Sequence, residues 1–62
     1  MNRPTEAELI IIAAAIRADT FPLSKSDYKG FGLPKGRAKE LVKMQCSLTA
    51  SEMKQVVKIL GI

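Results

Sequence analysis

The sequence contains no histidine, no tryptophan and only one cysteine, Cys46. A single thiol cannot form an intramolecular disulfide, and a zinc site in this chain would have only one strong ligand. The absence of histidine removes the side chain that most often performs general acid–base catalysis. We therefore predict a non-enzymatic chain without metal, cofactor or small-molecule substrate. The cysteine usage fits a cytoplasmic location, and Cys46 is expected to be a small core residue at a helix end.

Long hydrophobic runs are also missing. The longest run, Leu9–Ile16, would span only about 12 Å as a helix, against about 30 Å for the core of a bilayer. Glu6 and Glu8 precede it and no small-residue cleavage site follows it, which argues against a secretory signal. No alternating apolar–polar run and no Asn-Gly turn predicts a strand. We expect an all-α chain without a membrane segment.

Length and composition predict one small folded domain spanning residues 1–62. A domain of this size buries only about 60% of the surface of its unfolded chain, so it typically needs very regular helices or an oligomeric partner. The apolar content of 47% favours a folded chain. The net charge of +4 is concentrated in residues 23–46, which hold six cations against two anions. Such a basic segment suits nucleic acid or an acidic protein surface.

Three capping-box signals mark helix starts. Thr5, Ser24 and Thr49 are each followed, three residues later, by an acidic residue that can bond back to the cap amide. Pro34 suits the first turn of a further helix. The predicted helices cover about residues 6–18, a short segment from 25 to Gly30, about 34–45, and 50–60 before Gly61. The predicted fold is a compact all-α bundle of three full helices and one short helix.

Apolar periodicity predicts which side chains enter the core. The inward residues are predicted to be Leu9, Ile12, Ala13, Ile16, Ala38, Leu41, Val42, Met44 or Gln45, Met53, Val56, Val57 and Leu60. The rings of Tyr28 and Phe31 are also expected to fill the core, with base stacking as the alternative.

The first helix is apolar on every side, and such a helix must be surrounded. One interpretation makes it a central helix wrapped by the third and fourth helices. We favour the other, in which one side contacts a second copy of the chain or a protein partner, because the remaining helices supply only two apolar faces. The predicted interface residues are Ile10, Ile11, Ala14 and Ala15.

The lysines of the third helix form a stripe, since Lys35, Lys39 and Lys43 are spaced four residues apart. Such a stripe is most often a solvated face, and Glu40 lies beside it and partly neutralises it. The functional alternative is a surface that contacts phosphates or an acidic partner.

The third and fourth helices also permit a helix-turn-helix interpretation. A unit starting at Lys39 places apolar residues where two helices cross at a tight turn, namely Val42, Cys46, Leu48, Met53 and Val56. Its second helix would offer Ala50, Ser51, Lys54 and Gln55 to base edges in the major groove, and Lys58 to phosphate. Two positions depart from this pattern: Lys43 stands where a small residue is needed, and Ser47 where glycine is favoured.

Residues 48–62 also loosely resemble the second helix of repressor-type helix-turn-helix domains. The resemblance is carried by Leu48-Thr49-x-x-Glu52 and by the ending Leu60-Gly61-Ile62. It implies a DNA-binding protein whose recognition helix begins where this chain stops, which conflicts with the unit that starts at Lys39. The chain is therefore not assigned to that family.

Together these patterns predict a non-catalytic regulator that acts by stoichiometric binding. A protein partner or homodimer is preferred, in the manner of the small basic inhibitors and adaptors of phages and mobile elements, an association by type only. The alternative is a DNA-binding transcriptional regulator that binds double-stranded DNA. The candidate contacts to nucleic acid or an acidic partner are Lys35, Arg37, Lys39, Lys43, Ser51, Lys54, Gln55 and Lys58.

Overall fold

The computed structural model describes residues 2–62, and over this range the chain forms four helices. They are α1 (Glu6–Arg17), α2 (Lys25–Gly30), α3 (Lys35–Met44) and α4 (Ala50–Leu60). No strand forms between residues 2 and 62, which confirms the predicted all-α fold of three full helices and one short helix. None of the four described helices combines the length and apolar character that crossing a membrane requires.

Three of these helices start at the predicted capping boxes. Before α1, the Glu8 amide donates to Thr5 Oγ1 at 3.2 Å and the Thr5 amide donates to Glu8 Oε1 at 2.8 Å. The same reciprocal pair forms before α2 and α4, at Ser24–Asp27 and Thr49–Glu52. These bonds satisfy amides that a helix start otherwise leaves without partners. Local sequence therefore fixes where α1, α2 and α4 begin.

The same three helices end in a left-handed residue. Gly32 and Gly61 have φ angles of 96° and 76°, a conformation that glycine adopts without steric cost. After α1 the residue is Asp19, with φ 59°. Its amide donates to the Ile16 carbonyl at 3.1 Å, and the Thr20 amide donates to the Ala15 carbonyl at 2.9 Å. These two bonds reverse the chain direction at the end of α1.

The turn after α2 corrects the prediction for Phe31. Helix α2 ends at Gly30 as predicted, Phe31 is its C-cap residue, and the left-handed residue of the turn is Gly32. Leu33 then packs against the core, while Phe31 remains 58% exposed. Tyr28 is fully buried, as predicted.

The helices pack in two pairs, α1 with α4 and α2 with α3. Arg3, just before α1, bonds to Glu52 in the first turn of α4, and Arg17 at the end of α1 bonds to the Leu60 carbonyl at the end of α4. The helices α1 and α4 therefore run in the same direction. One buried cluster joins α1 and α4 through Leu9, Ile12, Ala13 and Val56. The other lies around α2 and α3 and contains Ala15, Leu23, Tyr28, Ala38, Leu41 and Met44.

Helix α1 contributes to both clusters, which corrects part of the interface prediction. Ala15 is only 5% exposed, and Ile11 is partly buried against the same α2–α3 cluster. These two residues face the core and not a partner. Ile10 and Ala14 are exposed, so only one narrow face of α1 remains uncovered.

The apolar stripe of α4 is buried only along one edge. Val56 is buried and Leu60 packs against the α1–α4 cluster. Met53 and Val57, predicted to face inward, are 45% and 41% exposed. The prediction was wrong for these two because α4 packs against α1 alone among the described helices.

A buried network of hydrogen bonds links Gln45 to Leu23 and Tyr28 in the α2–α3 half. Gln45 Oε1 accepts from Tyr28 Oη at 2.7 Å and from the Leu23 amide at 3.0 Å, and Gln45 Nε2 donates to the Leu23 carbonyl at 2.6 Å. Burial raises the pKa of the Tyr28 hydroxyl to about 12. The network therefore stays neutral and ties the loop before α2 to the end of α3.

Candidate partner-binding surfaces

Two of the three arginines are held in ion pairs that join distant parts of the chain. Arg37 on α3 donates to both carboxylate oxygens of Glu8 on α1, at 2.8 and 2.6 Å, and to Glu40 at 2.8 Å. Arg3 donates to both carboxylate oxygens of Glu52, at 3.0 and 2.6 Å. Bidentate pairs of this kind are the strong form of the interaction.

The pKa shifts of the paired carboxylates reflect these contacts. The Arg3 guanidinium, helped by the Thr49 amide, lowers the pKa of Glu52 to about 2. Arg37 lowers the pKa of Glu8 in the same way. Both acids therefore stay charged near neutral pH although both residues are buried in the fold.

Arg37 is consequently not available as a predicted nucleic-acid contact. Besides the two carboxylates, its guanidinium donates to the backbone carbonyls of Asn2 and Arg3. With its donors engaged inside the chain, Arg37 stabilises the fold, which corrects its assignment to a partner surface.

The lysines behave in the opposite way. All seven are exposed, and none forms an ion pair within 4.0 Å anywhere in residues 2–62. Five of them lie in the α2–α3 half, and three of those form what we call the lysine ridge: Lys35, Lys39 and Lys43. The positive charge that partners can contact is therefore carried mainly by lysine, with Arg17 as the exposed arginine that forms no ion pair in residues 2–62.

The lysine ridge lies opposite the buried edge of α3. Ala38 and Leu41 face the α2–α3 cluster, and Lys35, Lys39 and Lys43 project to the other side of the helix. Gly36, Lys39, Glu40 and Lys43 border a shallow depression of about 320 Å³. In the described chain no side chain caps α3, which follows Pro34 and has no acid in its first turn. The start of α3 is thus more positive than the starts of the other three helices.

The polar residues of α4 do not extend the lysine ridge. Ser51, Lys54, Gln55 and Lys58 are exposed as predicted. Within residues 2–62, however, no Cα of α3 comes within 8 Å of a Cα of α4. The predicted contacts therefore fall on two separate surfaces.

The helix-turn-helix unit starting at Lys39 requires α3 and α4 to cross closely. Within residues 2–62 these two helices do not cross. Two of its five core positions, Cys46 and Met53, are exposed. A helix-turn-helix needs these side chains between its two helices, so α3 and α4 do not form that motif.

An apolar groove lies where the α1–α2 loop and the α3–α4 loop meet α1 and α4. It has a volume of about 390 Å³ and is lined by Ile16, Phe21, Gln45, Cys46, Ser47, Leu48 and Met53. We call it the apolar groove. Phe21 and Leu48 are partly buried and pack on the core beneath it. Ile16 and Met53 line this groove and are 36% and 45% exposed. The prediction that Ile16 faces the core was therefore also wrong.

Cys46 lies in the apolar groove and is exposed, which corrects the expectation of a core cysteine. The chain leaves α3 at Met44, and Gln45 rather than Cys46 fills the buried position that follows. Periodicity predicted Met44 or Gln45 to face inward, and both are buried; only the separate expectation of a core Cys46 was wrong.

A second apolar surface lies on the uncovered face of α1. Ala7, Ile10 and Ala14 are exposed there at spacings of three and four residues, and we call this set the α1 face. A shallow depression of about 500 Å³ is lined by Glu6 of α1 and by Gln55, Lys58 and Ile59 of α4. Of the predicted interface residues, Ile10 and Ala14 belong to this face.

The acidic residues form no cluster suited to a metal ion. Within the described range no three His, Cys, Asp or Glu side chains come together as a candidate site. Comparison with protein-family models, with curated proteins and with solved structures found no match to this chain.

Proposed function

We propose that this chain is a non-catalytic binding module that occupies the surface of another protein through its apolar groove. The observation that carries the proposal is the exposure of Ile16 and Met53 beside a groove whose floor is already apolar. Covering a large apolar side chain fully yields about 1.5–3 kcal/mol. A partner that covers the exposed parts of these two side chains gains a share of that energy.

Hydrogen bonding within the groove supports binding rather than catalysis. The Gln45 amide is already bonded to Leu23 and Tyr28, and Ser47 Oγ donates to the Lys43 carbonyl at 3.3 Å. Cys46 has no histidine to activate it, since the chain contains none. The lining therefore offers shape and apolar area to a partner, without an activated nucleophile.

The size of the apolar groove fits part of a protein segment. Its volume of about 390 Å³ accommodates a few apolar side chains, in the manner of the anchors that an amphipathic helix places in a groove. We therefore propose a stoichiometric regulator that binds such a segment and blocks it from other contacts.

The test compares two exposed apolar residues changed in the same way. Met53→Glu places a charge in the apolar groove, and Phe31→Glu places the same charge on an exposed ring in the other half. Immobilised wild-type chain and both variants are incubated with nuclease-treated lysate of the source cells, and retained proteins are analysed by native mass spectrometry. We expect one partner at fixed stoichiometry, retained by Phe31→Glu and lost by Met53→Glu. Equal retention by both variants would contradict the proposal.

Cys46 provides an independent check because it is the only cysteine and lies in the groove. Attaching a bulky maleimide to Cys46 fills the apolar groove without changing any other side chain. We expect this adduct to prevent partner retention while circular dichroism shows an unchanged helical signal. Full retention by the labelled chain would exclude the groove as the site.

A second candidate function is sequence-independent binding of nucleic acid through the lysine ridge. The observation that favours it is that all three ridge lysines are exposed and free of ion pairs in residues 2–62. Three neutralised phosphates on duplex DNA give a salt slope of about −2.7, or an affinity loss of about 40-fold between 50 and 200 mM salt. Fluorescence anisotropy of mixed-sequence duplex DNA measures this loss. Absence of binding by folded protein at micromolar concentration would remove this candidate.

A further inference from the structure

The α1 face is the part of α1 that neither hydrophobic cluster covers. Ile10 is 48% exposed, and Ala7 and Ala14 on either side of it are exposed as well. The alanines leave the backbone accessible to close approach by another helix. None of these residues lines the apolar groove, so a partner on the α1 face leaves the groove open.

The charges at the two ends of the α1 face identify its partner. Glu6 and Arg17 are eleven residues apart, which in a helix is about three turns and about 16 Å. They therefore lie on the same side of α1, one near each end, with Ile10 between them. Glu6 forms no ion pair within 4.0 Å in the described chain. Arg17 uses only Nη2, which donates to the Leu60 carbonyl at 3.0 Å.

We propose that the α1 face binds a second copy of this chain, with the two α1 helices antiparallel about a two-fold axis. A two-fold axis perpendicular to the plane of the two helices reverses the helix direction and leaves corresponding sides of the two α1 helices next to each other. Glu6 of each copy therefore meets Arg17 of the other. Ile10 of each copy then packs near the exposed Ala14 of its partner. The same surface supplies both sides of the contact, and the negative end of the face in one copy pairs with the positive end in the other.

The charged and polar groups beside this face agree with the arrangement. Lys58 and Gln55 of α4 line the depression that Glu6 also lines, so among these lining residues one cation and no second acid accompany Glu6. Ile59 lies in the same depression and is partly exposed, which extends the apolar contact from α1 onto α4. The dimer presents two apolar grooves and could hold two partner segments at once.

A charge-exchange experiment tests the proposal without reference to any partner protein. Wild-type chain, Glu6→Arg, Arg17→Glu and an equimolar mixture of the two variants are examined by sedimentation equilibrium. We expect wild type at twice the chain mass of 6.8 kDa. Each single variant places like charges at both ends of the contact and should raise the dimer dissociation constant by at least about tenfold. The mixture should form a heterodimer, because one copy then carries two arginines where the other carries two glutamates.

Matched controls separate this contact from general charge effects. Lys39→Glu makes a comparable charge reversal on the lysine ridge and should leave the dimer unchanged. Ile10→Glu removes the apolar centre of the contact and should give a monomer with the helical circular dichroism of the wild type. A wild-type monomer at about 1 mM protein, single variants that dimerise as wild type does, or a mixture that stays monomeric would each overturn the proposal. These outcomes do not depend on the apolar groove, so the dimer proposal can hold even if Met53→Glu does not affect partner binding.

Discussion

The α1–α4 half and the α2–α3 half of this small chain use their surfaces in opposite ways. In the first half, large apolar side chains remain exposed on both flanks of the helix pair: Ile10, Ile16, Met53, Val57 and Ile59. In the second half, five lysines are exposed beside one exposed large apolar side chain, Phe31, among the described residues, and the interior contains a hydrogen-bonded tyrosine. The difference indicates that the α2–α3 half closes its core with the help of Ala15 and Ile11 of α1, whereas the α1–α4 half presents apolar area to other molecules.

The two halves are joined by a few specific contacts. Phe21 packs against both hydrophobic clusters, and Arg37 of α3 is bonded to Glu8 of α1. Arginine is used here because its planar fork binds a carboxylate through two bonds. Lysine is kept on the surface, where an isolated ammonium is well hydrated. Arg37 is thus used for ion pairs within the fold, whereas lysine is used on the surface.

The largest effect on stability is expected from the core of the α2–α3 half. Leu41→Ala removes a fully buried side chain and should lower the free energy of unfolding by about 2–5 kcal/mol. Val57→Ala truncates a side chain that is 41% exposed on α4, and should change the free energy of unfolding by no more than about 0.5 kcal/mol. Urea denaturation followed by circular dichroism measures both. Comparable losses in the two variants would show that α4 is more tightly packed than its exposure indicates.

The polar network should show a smaller effect with a defined order. Gln45→Ala leaves the Tyr28 hydroxyl and the Leu23 amide and carbonyl without this partner, and because water enters the space left by the shortened side chain, the total cost should be about 1–3 kcal/mol. Tyr28→Phe removes one hydroxyl and leaves Gln45 bonded to Leu23, so its cost should be about 1 kcal/mol. A double-mutant cycle in urea gives the coupling between them. A larger loss for Tyr28→Phe than for Gln45→Ala would reverse the order that the geometry requires.

Acid pH should weaken the links made by arginine. The folded pKa of Glu52 is lowered to about 2 from an ordinary value of 4.5, and that of Glu8 is also lowered. A lowered folded pKa contributes stability that is present above the unfolded value and lost as pH falls through the folded value. The urea concentration at the midpoint of unfolding should therefore decrease as the pH is lowered from about 4.5 to about 2.

The matched comparison for this pH effect uses two glutamates. Glu52→Gln should lower stability at neutral pH and flatten the loss between pH 4.5 and 2, because its ion pair with Arg3 is gone. At protein concentrations well below the dimer dissociation constant, Glu6→Gln should preserve the wild-type slope, since Glu6 forms no ion pair within residues 2–62 of a single chain. Identical slopes in the two variants would mean that the Arg3–Glu52 pair does not contribute.

The helix boundaries could be predicted because their causes are local. Thr5 and Thr49 bond to amides three residues away, and Gly61 takes the left-handed conformation that ends α4. Asp19 performs the same role after α1 without a glycine to mark it. The end of α1 was predicted to within one residue, but its left-handed turn had no sequence signal.

Burial was harder to predict because it depends on which helices meet. Periodicity predicted that Val56 and Met53 of α4 both face the core. Met53 is exposed because α3 does not pack against α4. The arginine pairs were missed for a related reason, since Arg37 and Glu8 are 29 positions apart and Arg3 and Glu52 are 49 apart. The apolar groove and the α1 face are likewise products of packing, so the sequence pointed to Ile10 and Ala14 but not to the groove.

The smallest effect on stability is expected from the surface that most distinguishes the two halves. Replacing Lys35, Lys39 and Lys43 together by glutamine removes three positive charges that have no ion-pair partners within residues 2–62. Glutamine has a helix propensity close to that of lysine, and removing three neighbouring like charges also relieves their repulsion, so the free energy of unfolding of the triple variant should change by no more than about 0.5 kcal/mol in total. Urea denaturation of the triple variant and of wild type measures the change.

The same triple variant separates folding from binding in the α2–α3 half. If the lysine ridge contacts phosphates, the variant should lose the salt-dependent affinity for duplex DNA while its urea midpoint stays near that of wild type. A matched variant with Lys54 and Lys58 replaced by glutamine removes charge from α4 and should keep most of that affinity. A marked fall in stability would instead assign the ridge a structural role, because α3 would then depend on charges that its own backbone and core do not require.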